Sequence, residues 1–168
     1  VLPFRNEERT IAECLASIAA QSFEDYEVIA VDDGTTDAST EIVARAANAD
    51  PRILLLRPGR VGLVAALNLG VAESRAPLVA RMDADDVMHR ERLAEQVAFL
   101  EGAPDVAVAG CQVSIICDGD VLAGFTEYVR WQNSCVTSDE IANNIYVESP
   151  LAHPSVLFRK NAVAAAGG

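Results

Sequence analysis

The clearest chemical signal in this chain is at residues 83–86, which read Asp-Ala-Asp-Asp. Three carboxylates within four residues repel one another unless a cation lies between them. Hard divalent cations prefer oxygen ligands, and Mg²⁺ or Mn²⁺ is commonly held by one or two carboxylates together with substrate phosphates. The alternative is a solvated acidic turn that caps the next helix.

Two other polar groups follow apolar segments in the same way. Asp32 and Asp33 follow the run Val-Ile-Ala-Val and could accept hydrogen bonds from a ribose or a base. Helix capping by Thr36 or Asp37, with Gly34 making the turn, is an alternative that does not exclude this role. 

Arg5 follows the first apolar segment. Its guanidinium could stack on a base and donate hydrogen bonds to it. An ordinary surface ion pair with Glu7 or Glu8 explains the same residue equally well.

Strands and helices alternate through the first hundred residues and would position these groups. Strands are predicted at residues 1–4, 27–32, 52–57 and 78–82, and helices at residues 7–21, 36–47, 63–73 and 89–100, with Asn6 capping the first helix. Apolar strands separated by amphipathic helices predict an α/β fold, a Rossmann-like three-layer sandwich with a mostly parallel sheet and helices on both faces. Ligands bind beyond the carboxyl ends of such strands, so the three polar loops should converge.

The pattern changes after residue 103. A strand is predicted at residues 106–116, a turn at Asp118-Gly119-Asp120, and a returning hairpin strand at residues 121–129. A short helix at residues 138–144, a strand at 155–158 and a helix at 160–166 complete the chain. We therefore expect one domain over residues 1–168 with two sub-regions, at 1–102 and 103–168.

Composition excludes several classes of protein. The 168 residues carry 25 acidic against 13 basic side chains, a formal charge of −12 that would repel a nucleic-acid backbone. The four cysteines lack zinc-type spacing and are expected to be free thiols of a reducing compartment. No apolar run is long enough to cross a bilayer, and no signal peptide is visible.

Together these residues resemble the family-2 glycosyltransferases, which have the GT-A fold. The resemblance extends along nearly the whole chain and lies in the order and spacing of several short motifs. They are residues 3–8, 31–37, 62–70 and 80–86, then Arg92, Leu93 and Gln96, and finally residues 153–160.

The resemblance implies a metal-assisted, inverting transfer of a sugar from a nucleoside-diphosphate sugar, most simply a UDP-sugar, to a hydroxyl of a carbohydrate or lipid-linked acceptor. It implies Mn²⁺ or Mg²⁺ as cofactor and polysaccharide or glycoconjugate biosynthesis as the context. The implied metal ligands are Asp85 and Asp83. The implied nucleotide-binding residues are Pro3, Arg5, Glu7, Asp32, Asp33, Asp83 and Ala84. His153, Ser155 and Arg159 are expected near the donor sugar and the acceptor.

In this family the general base is an acidic residue downstream of a diglycine turn like Gly167-Gly168, so no base is assigned within the chain, and Glu148 does not match its place. A binding module without turnover and a sugar-phosphate nucleotidyltransferase are the alternatives, although the second usually needs a Gly-rich, basic loop near its start.

The chain starts without a methionine inside an apolar segment and stops at a diglycine, which predicts a domain cut at both ends. We expect a cytoplasmic protein, with a peripheral place at the inner face of the membrane, through segments outside this sequence, as the alternative.

Overall fold

The computed structural model describes residues 1–117 and 119–167, so Asp118 of the predicted turn and Gly168 of the diglycine lie outside the described residues. The strands are β1 (Leu2–Phe4), β2 (Val28–Asp32), β3 (Ile53–Leu56), β4 (Leu78–Ala80), β5 (Val108–Ala109) and β6 (Leu157–Arg159). The helices are α1 (Ile11–Ala19), α2 (Ser39–Ala49), α3 (Leu63–Glu73), α4 (Arg92–Gly102), α5 (Ala123–Ser134), α6 (Ser138–Asn144) and α7 (Lys160–Ala166). A 3₁₀ turn at His153–Ser155 precedes β6.

The strands form two three-stranded sheets that meet at the first residue. β1, β2 and β3 are parallel in the order β1-β2-β3, whereas β6 lies between β4 and β5 and is antiparallel to both. The Val1 amino group donates to the Ala80 carbonyl at 2.7 Å, and the Met82 N–H donates to the Val1 carbonyl at 3.1 Å. Val1 thus bonds to the residues on either side of Arg81, which is the hydrogen-bond pattern of a parallel pair of strands. The loops that follow β1, β2 and β4 therefore leave the same edge.

Helices cover both faces of the first sheet, as the sequence predicts. β2 is buried along its whole length, and its side chains alternate between two clusters because successive strand residues face opposite sides. Val28 and Ala30 pack with α1, whose buried side chains are spaced three and four residues apart. Ile29 and Val31 pack against Ala66 of α3 on the other face. The α/β, Rossmann-like fold class is thereby confirmed.

The predicted hairpin after residue 103 is wrong. Residues 106–116 form a strand only at Val108–Ala109, and residues 121–129 mostly belong to helix α5. Phe125, Val129 and Gln132 are spaced four and three residues apart, so in a helix they share one face, and all three border the same cavity. The aromatic and β-branched residues of this segment imitate a strand composition.

The predicted caps of the first two helices also need correction. α1 begins at Ile11, and Asn6 has a positive φ of 58° and accepts the Thr36 N–H with its side chain instead of capping α1. The N-cap of α2 is Ala38, which has no side-chain cap; Asp37, one residue earlier, accepts the Ser39 N–H, whereas the Thr36 hydroxyl donates to Asn6. These contacts tie the loop after β1 to the loop after β2.

All four cysteines are free thiols. Over residues 1–117 and 119–167, no helix combines the length and the apolar character that crossing a bilayer requires.

Candidate functional site

The first acidic loop, between β2 and α2, holds Asp32 with its own backbone and helix. One carboxylate oxygen of Asp32 accepts the Thr35 N–H at 2.8 Å, and the other accepts the Thr40 hydroxyl at 2.7 Å. Asp32 is buried, and both oxygens already have a donor. Its carboxylate therefore shapes the turn into α2, and of the predicted pair Asp33 is left to face a ligand.

Asp33 is anchored by the neighbouring loop between β3 and α3. Its Oδ1 accepts the N–H groups of Val61 and Gly62, both at 2.7 Å. These two backbone bonds, helped by the nearby Arg60 and Arg5 guanidinium groups, hold the pKa of Asp33 below its usual range. Asp33 is thus a fixed carboxylate at the N-terminus of α3, and its Oδ2 accepts no hydrogen bond from the described residues.

Gly34 lets the two loops approach each other. Its φ is +74°, and a Cβ at this position would lie 2.9 Å from Cβ of Arg60 and 3.1 Å from its Cα. Only glycine meets both the backbone conformation and the contact without strain.

The loop after β1 connects the first acidic loop to the second. Pro3 is buried in β1 opposite Val31, whereas Arg5 is exposed beyond the strand and forms no ion pair within the described part of the chain. The Glu7 N–H donates to the Ser39 hydroxyl at 2.7 Å. Burial, and then the charges of Asp85, Asp37 and Asp83, raise the pKa of Glu7.

The second acidic loop, residues 83–86 after β4, is crowded and poor in donors. Asp83 is held by Arg81, whose Nη2 lies 2.9 and 3.1 Å from the two carboxylate oxygens. Ala84 is buried, whereas Asp85 is exposed and its carboxylate has no protein hydrogen bond among the residues described. Burial, and then Asp85 and Asp83, raise the pKa of Asp86. These three carboxylates repel one another in the absence of a cation.

This loop fits a hard divalent cation as an open site. The described residues contain no cluster of three or more side chains of His, Cys, Asp or Glu arranged to enclose a metal. Mg²⁺ and Mn²⁺ sites in nucleotide enzymes need only one or two carboxylates, because substrate phosphates and water complete the shell. Asp85 has free oxygens for this purpose, and Asp83 would share its carboxylate with Arg81.

A cavity of about 860 Å³ opens beside the second acidic loop. It is lined by Asp85 and Asp86, by Cys111 and the residues that follow it, and by residues of α5. Ser155 is buried in its wall, where its Oγ donates to the Ala152 carbonyl at 2.7 Å. The cavity therefore brings the predicted metal ligand Asp85 together with the segment at 152–155.

Two of the predicted sugar-site residues do not line this cavity. His153 is exposed on the 3₁₀ turn. Arg159 lies at the far end of β6, opposite Leu78, and its guanidinium donates to the Leu100, Ala103 and Val106 carbonyls. Arg159 therefore closes the C-terminal end of α4, and its prediction as a sugar-site residue is not supported by its position.

No role was predicted for the buried pair Arg92 and Gln96, which joins the residue that precedes β6 to the segment between β4 and the second acidic loop. Arg92 Nη2 donates to the Arg81 and Val156 carbonyls at 3.0 and 3.3 Å, and its Nε donates to Gln96 at 3.1 Å. Gln96 donates in turn to the Ala109 and Ser155 carbonyls. Arginine and glutamine one turn apart on the buried face of a helix were the available signal, because such groups need partners.

Comparison with known proteins supplies the family. The model of "Glycosyl transferase family 2" matches residues 1–165. The amylovoran biosynthesis glycosyltransferase AmsE of Erwinia amylovora is 30% identical over 166 residues, which cover 97% of this chain and 59% of that protein. The chain therefore spans little more than half the length of the first curated relatives it matches.

Solved structures show the same fold. The mannosyltransferase PcManGT from Pyrobaculum calidifontis, in complex with GDP-Man and Mn²⁺, has a TM-score of 0.74 at 25% identity, covering 99% of this chain and 45% of that one. TarS 1–349 of S. aureus, in complex with UDP-GlcNAc, has a TM-score of 0.76 at 22% identity, covering 98% of this chain and 46% of that one. The second likeness is one of fold alone.

Proposed function

The chain belongs to glycosyl transferase family 2, and from this membership we propose that it is the donor-binding part of a glycosyltransferase that uses nucleoside-diphosphate sugars. The single observation that carries the proposal is the convergence of three loops: the one bearing Asp33, the one bearing Glu7, and the one bearing Asp83 and Asp85. The family match also favours sugar transfer over a sugar-phosphate nucleotidyltransferase. Polysaccharide or glycoconjugate synthesis is the proposed context, supported by the likeness to AmsE.

The nucleoside would lie on the loops after β1 and β2, beside Asp33 and the exposed Arg5, and the buried Pro3 would support this wall from β1. The free Oδ2 of Asp33 can accept a hydrogen bond from an imide N–H such as that of uracil, which is why we propose a UDP-sugar donor. Arg5 can stack on the base from the exposed side. Asp32 supports this arrangement indirectly, because it fixes the turn that carries Asp33.

The diphosphate would lie over the second acidic loop, with Asp85 as the direct ligand of Mn²⁺ or Mg²⁺ and Asp83 beside it. The bound cation would neutralise the charge that builds on the leaving diphosphate. Ala84 is the buried residue of this loop and would hold the loop backbone in place. The Mn²⁺ in the PcManGT complex supports this choice of cofactor.

The donor sugar would point from this loop into the cavity bordered by Ser155, where the acceptor hydroxyl would attack its anomeric carbon. We propose inversion at that carbon and transfer of a hexose. We also propose that residues 1–102 bind the donor and that residues 103–168 begin the acceptor side. The free thiols are in keeping with a cytoplasmic protein.

The proposal is tested by titrating UDP by calorimetry with and without Mn²⁺, in the parent chain and in Asp85→Asn. Mn²⁺ should tighten UDP binding in the parent, and Asp85→Asn should lose at least the roughly tenfold to hundredfold that even an outer-shell partner of a metal contributes. Asp105→Asn is the matched control, because Asp105 is another exposed carboxylate and lies after α4. UDP binding that ignores both Mn²⁺ and Asp85 would contradict the proposal.

A further inference from the structure

Helix α5 carries a row of three aromatic rings. The rings of Phe125 and Tyr128 lie nearly parallel, with 21° between their planes and 6.3 Å between their centroids. The ring of Trp131 follows at 5.7 Å from that of Tyr128, tilted by 36°. Phe125 is 52% exposed although it is a large apolar side chain on an ordered helix. Tyr128 and Trp131 are half-buried, so Phe125 carries the aromatic patch to the surface. Exposed apolar patches of this kind mark binding sites.

Two of the three rings border the same cavity as the second acidic loop. Phe125 and Tyr128 line it from α5, and Asp85 and Asp86 line it from that loop. One cavity therefore offers a ligand both aromatic rings and the carboxylates of the proposed donor site. This shared cavity is the reason for placing the acceptor side of the proposed reaction there.

Polar groups complete the wall around the rings. Gln132 is buried one turn after Tyr128, and its Nε2 donates to the Ser149 carbonyl at 3.1 Å and to the Tyr128 hydroxyl at 3.4 Å. The bond to Ser149 holds Gln132 in place, and the bond to the hydroxyl orients the Tyr128 ring. Gln112 is exposed in the cavity wall, where its side-chain oxygen accepts no hydrogen bond from the described residues.

The chemistry of this wall matches a sugar ring. A pyranose presents C–H groups on its faces and hydroxyl groups around its edge, so an aromatic face and a surrounding rim of amides and carboxylates satisfy both. The charged residues that line the cavity are the acidic Asp85 and Asp86 and the basic Arg90 and Arg92, so their charges balance and the aromatic rings distinguish this wall.

We propose that Phe125 and Tyr128 form a stacking surface for a saccharide ring of the acceptor, which makes the acceptor a carbohydrate or the sugar portion of a glycoconjugate. This proposal rests on the proposed function, since it identifies the second substrate of the same reaction. The sugar would lie against α5 with a hydroxyl directed toward the second acidic loop.

The test is saturation-transfer NMR on the whole chain with three probes: methyl β-glucopyranoside, methyl α-mannopyranoside and the methyl β-glycoside of N-acetylglucosamine. At least one probe should receive saturation on its ring C–H protons. The double variant Phe125→Leu, Tyr128→Leu keeps apolar bulk and helix propensity but removes the rings. It should weaken binding of that probe about fivefold to tenfold, as expected for the loss of aromatic contacts.

Phe99→Leu is the matched control, because Phe99 is 55% exposed on α4 and does not line the cavity. It should bind the probe like the parent, and circular dichroism verifies that each variant is folded. UDP affinity with Mn²⁺ should be unchanged in the double variant. If UDP–Mn²⁺ binding is absent but the probe still depends on the two rings, the donor assignment fails and the saccharide surface stands.

The proposal is overturned if no probe receives saturation, or if the double variant and Phe99→Leu bind the probe equally. It is also overturned if the two rings are needed only for binding of the apolar dye anilinonaphthalene sulfonate. That result would make the α5 face an apolar contact surface for protein.

Discussion

The two acidic loops at the edge of the sheet contain the same residue type in opposite electrostatic surroundings. Asp33 in the first loop receives two backbone N–H groups, which lower its pKa. Asp86 in the second loop is raised in pKa by burial and by the carboxylates Asp85 and Asp83. Both carboxylates of the first loop have protein donors, whereas in the second loop Asp83 is paired with Arg81 and Asp85 has no donor among the described residues. An acidic pair alone does not reveal its role, because the number of nearby donors decides it.

The largest predicted effect is a loss of stability on removing Arg92, which contacts the segment just before the second acidic loop. Arg92→Leu removes the donors to the Arg81 carbonyl and to the side-chain oxygen of Gln96, whereas the Val156 carbonyl keeps the N–H of Arg81. We expect the free energy of unfolding to fall by about 3 kcal/mol, as for loss of charge-assisted bonds in a buried site. Urea unfolding followed by circular dichroism measures it.

The matched control is Arg90→Leu, because the Arg90 side chain is 72% exposed and, among the described residues, its one ion pair is a long contact with Glu91. Its effect should be close to zero. Equal losses in the two variants would show that Arg92 does not hold this loop to β6.

The sequence predicted the first half of the chain better than the second for a physical reason. α3 was predicted with its observed bounds, because Gly62 precedes it and an apolar pattern runs to Glu73. α5 was missed for two reasons. One of its faces lines a cavity and Gln132 is its one buried residue, and its aromatic residues are common in strands. Residues buried on one side only carry a weaker periodic signal.

The candidate site was predictable in its location but less so in its chemistry. Ligands bind beyond the carboxyl ends of parallel strands, and this rule alone predicts Asp33 and Asp85 at the same edge of the sheet. Two roles could not be predicted, because they depend on turns and long-range contacts. Both oxygens of Asp32 accept hydrogen bonds from Thr35 and Thr40, and Arg159 donates to the carbonyls at the end of α4. Such partners are set by the tertiary structure and leave no local pattern.

The next effect concerns how closely the first loop packs on its neighbour. Gly34→Ala would combine a left-handed backbone with a Cβ at 2.9 Å from that of Arg60, and we expect a loss of about 2 kcal/mol. Gly59→Ala has a similar φ of +80° but no atom within 4 Å, so it should lose only about 1 kcal/mol. Thermal unfolding of both variants separates the contact from the backbone strain.

A loss in Gly34→Ala no greater than that in Gly59→Ala would mean that the two loops yield easily. The first loop would then resemble the second in rigidity, and the comparison between them would weaken.

The smallest effect is the opposite pH response of the two loops, measured by urea unfolding without metal. The pKa of Asp33 is lowered in the folded chain. Its stabilising contribution is therefore fully present above the ordinary Asp pKa of about 4, and it is lost as the pH falls through the pKa of the folded state. Asp33→Asn should therefore destabilise the chain at neutral pH and matter less in acid.

Asp86 has a raised pKa, so its ionisation disfavours the folded state, and the parent gains stability as the pH falls through that value. Asp86→Asn should be neutral or slightly stabilising at neutral pH, with the difference disappearing in acid. If both variants destabilise the chain equally at neutral pH, the two loops do not differ as described.

The cradle of Asp33 has a consequence for how such a domain can diverge. Both of its donors are main-chain N–H groups, so replacing the exposed side chain of Val61 leaves the bond to Asp33 intact. A lineage could then change the surface around the proposed base site at this point while the anchoring carboxylate stays in place. We therefore expect nucleotide preference to drift through residue 61 and Arg5 more readily than through Asp33 or Gly34.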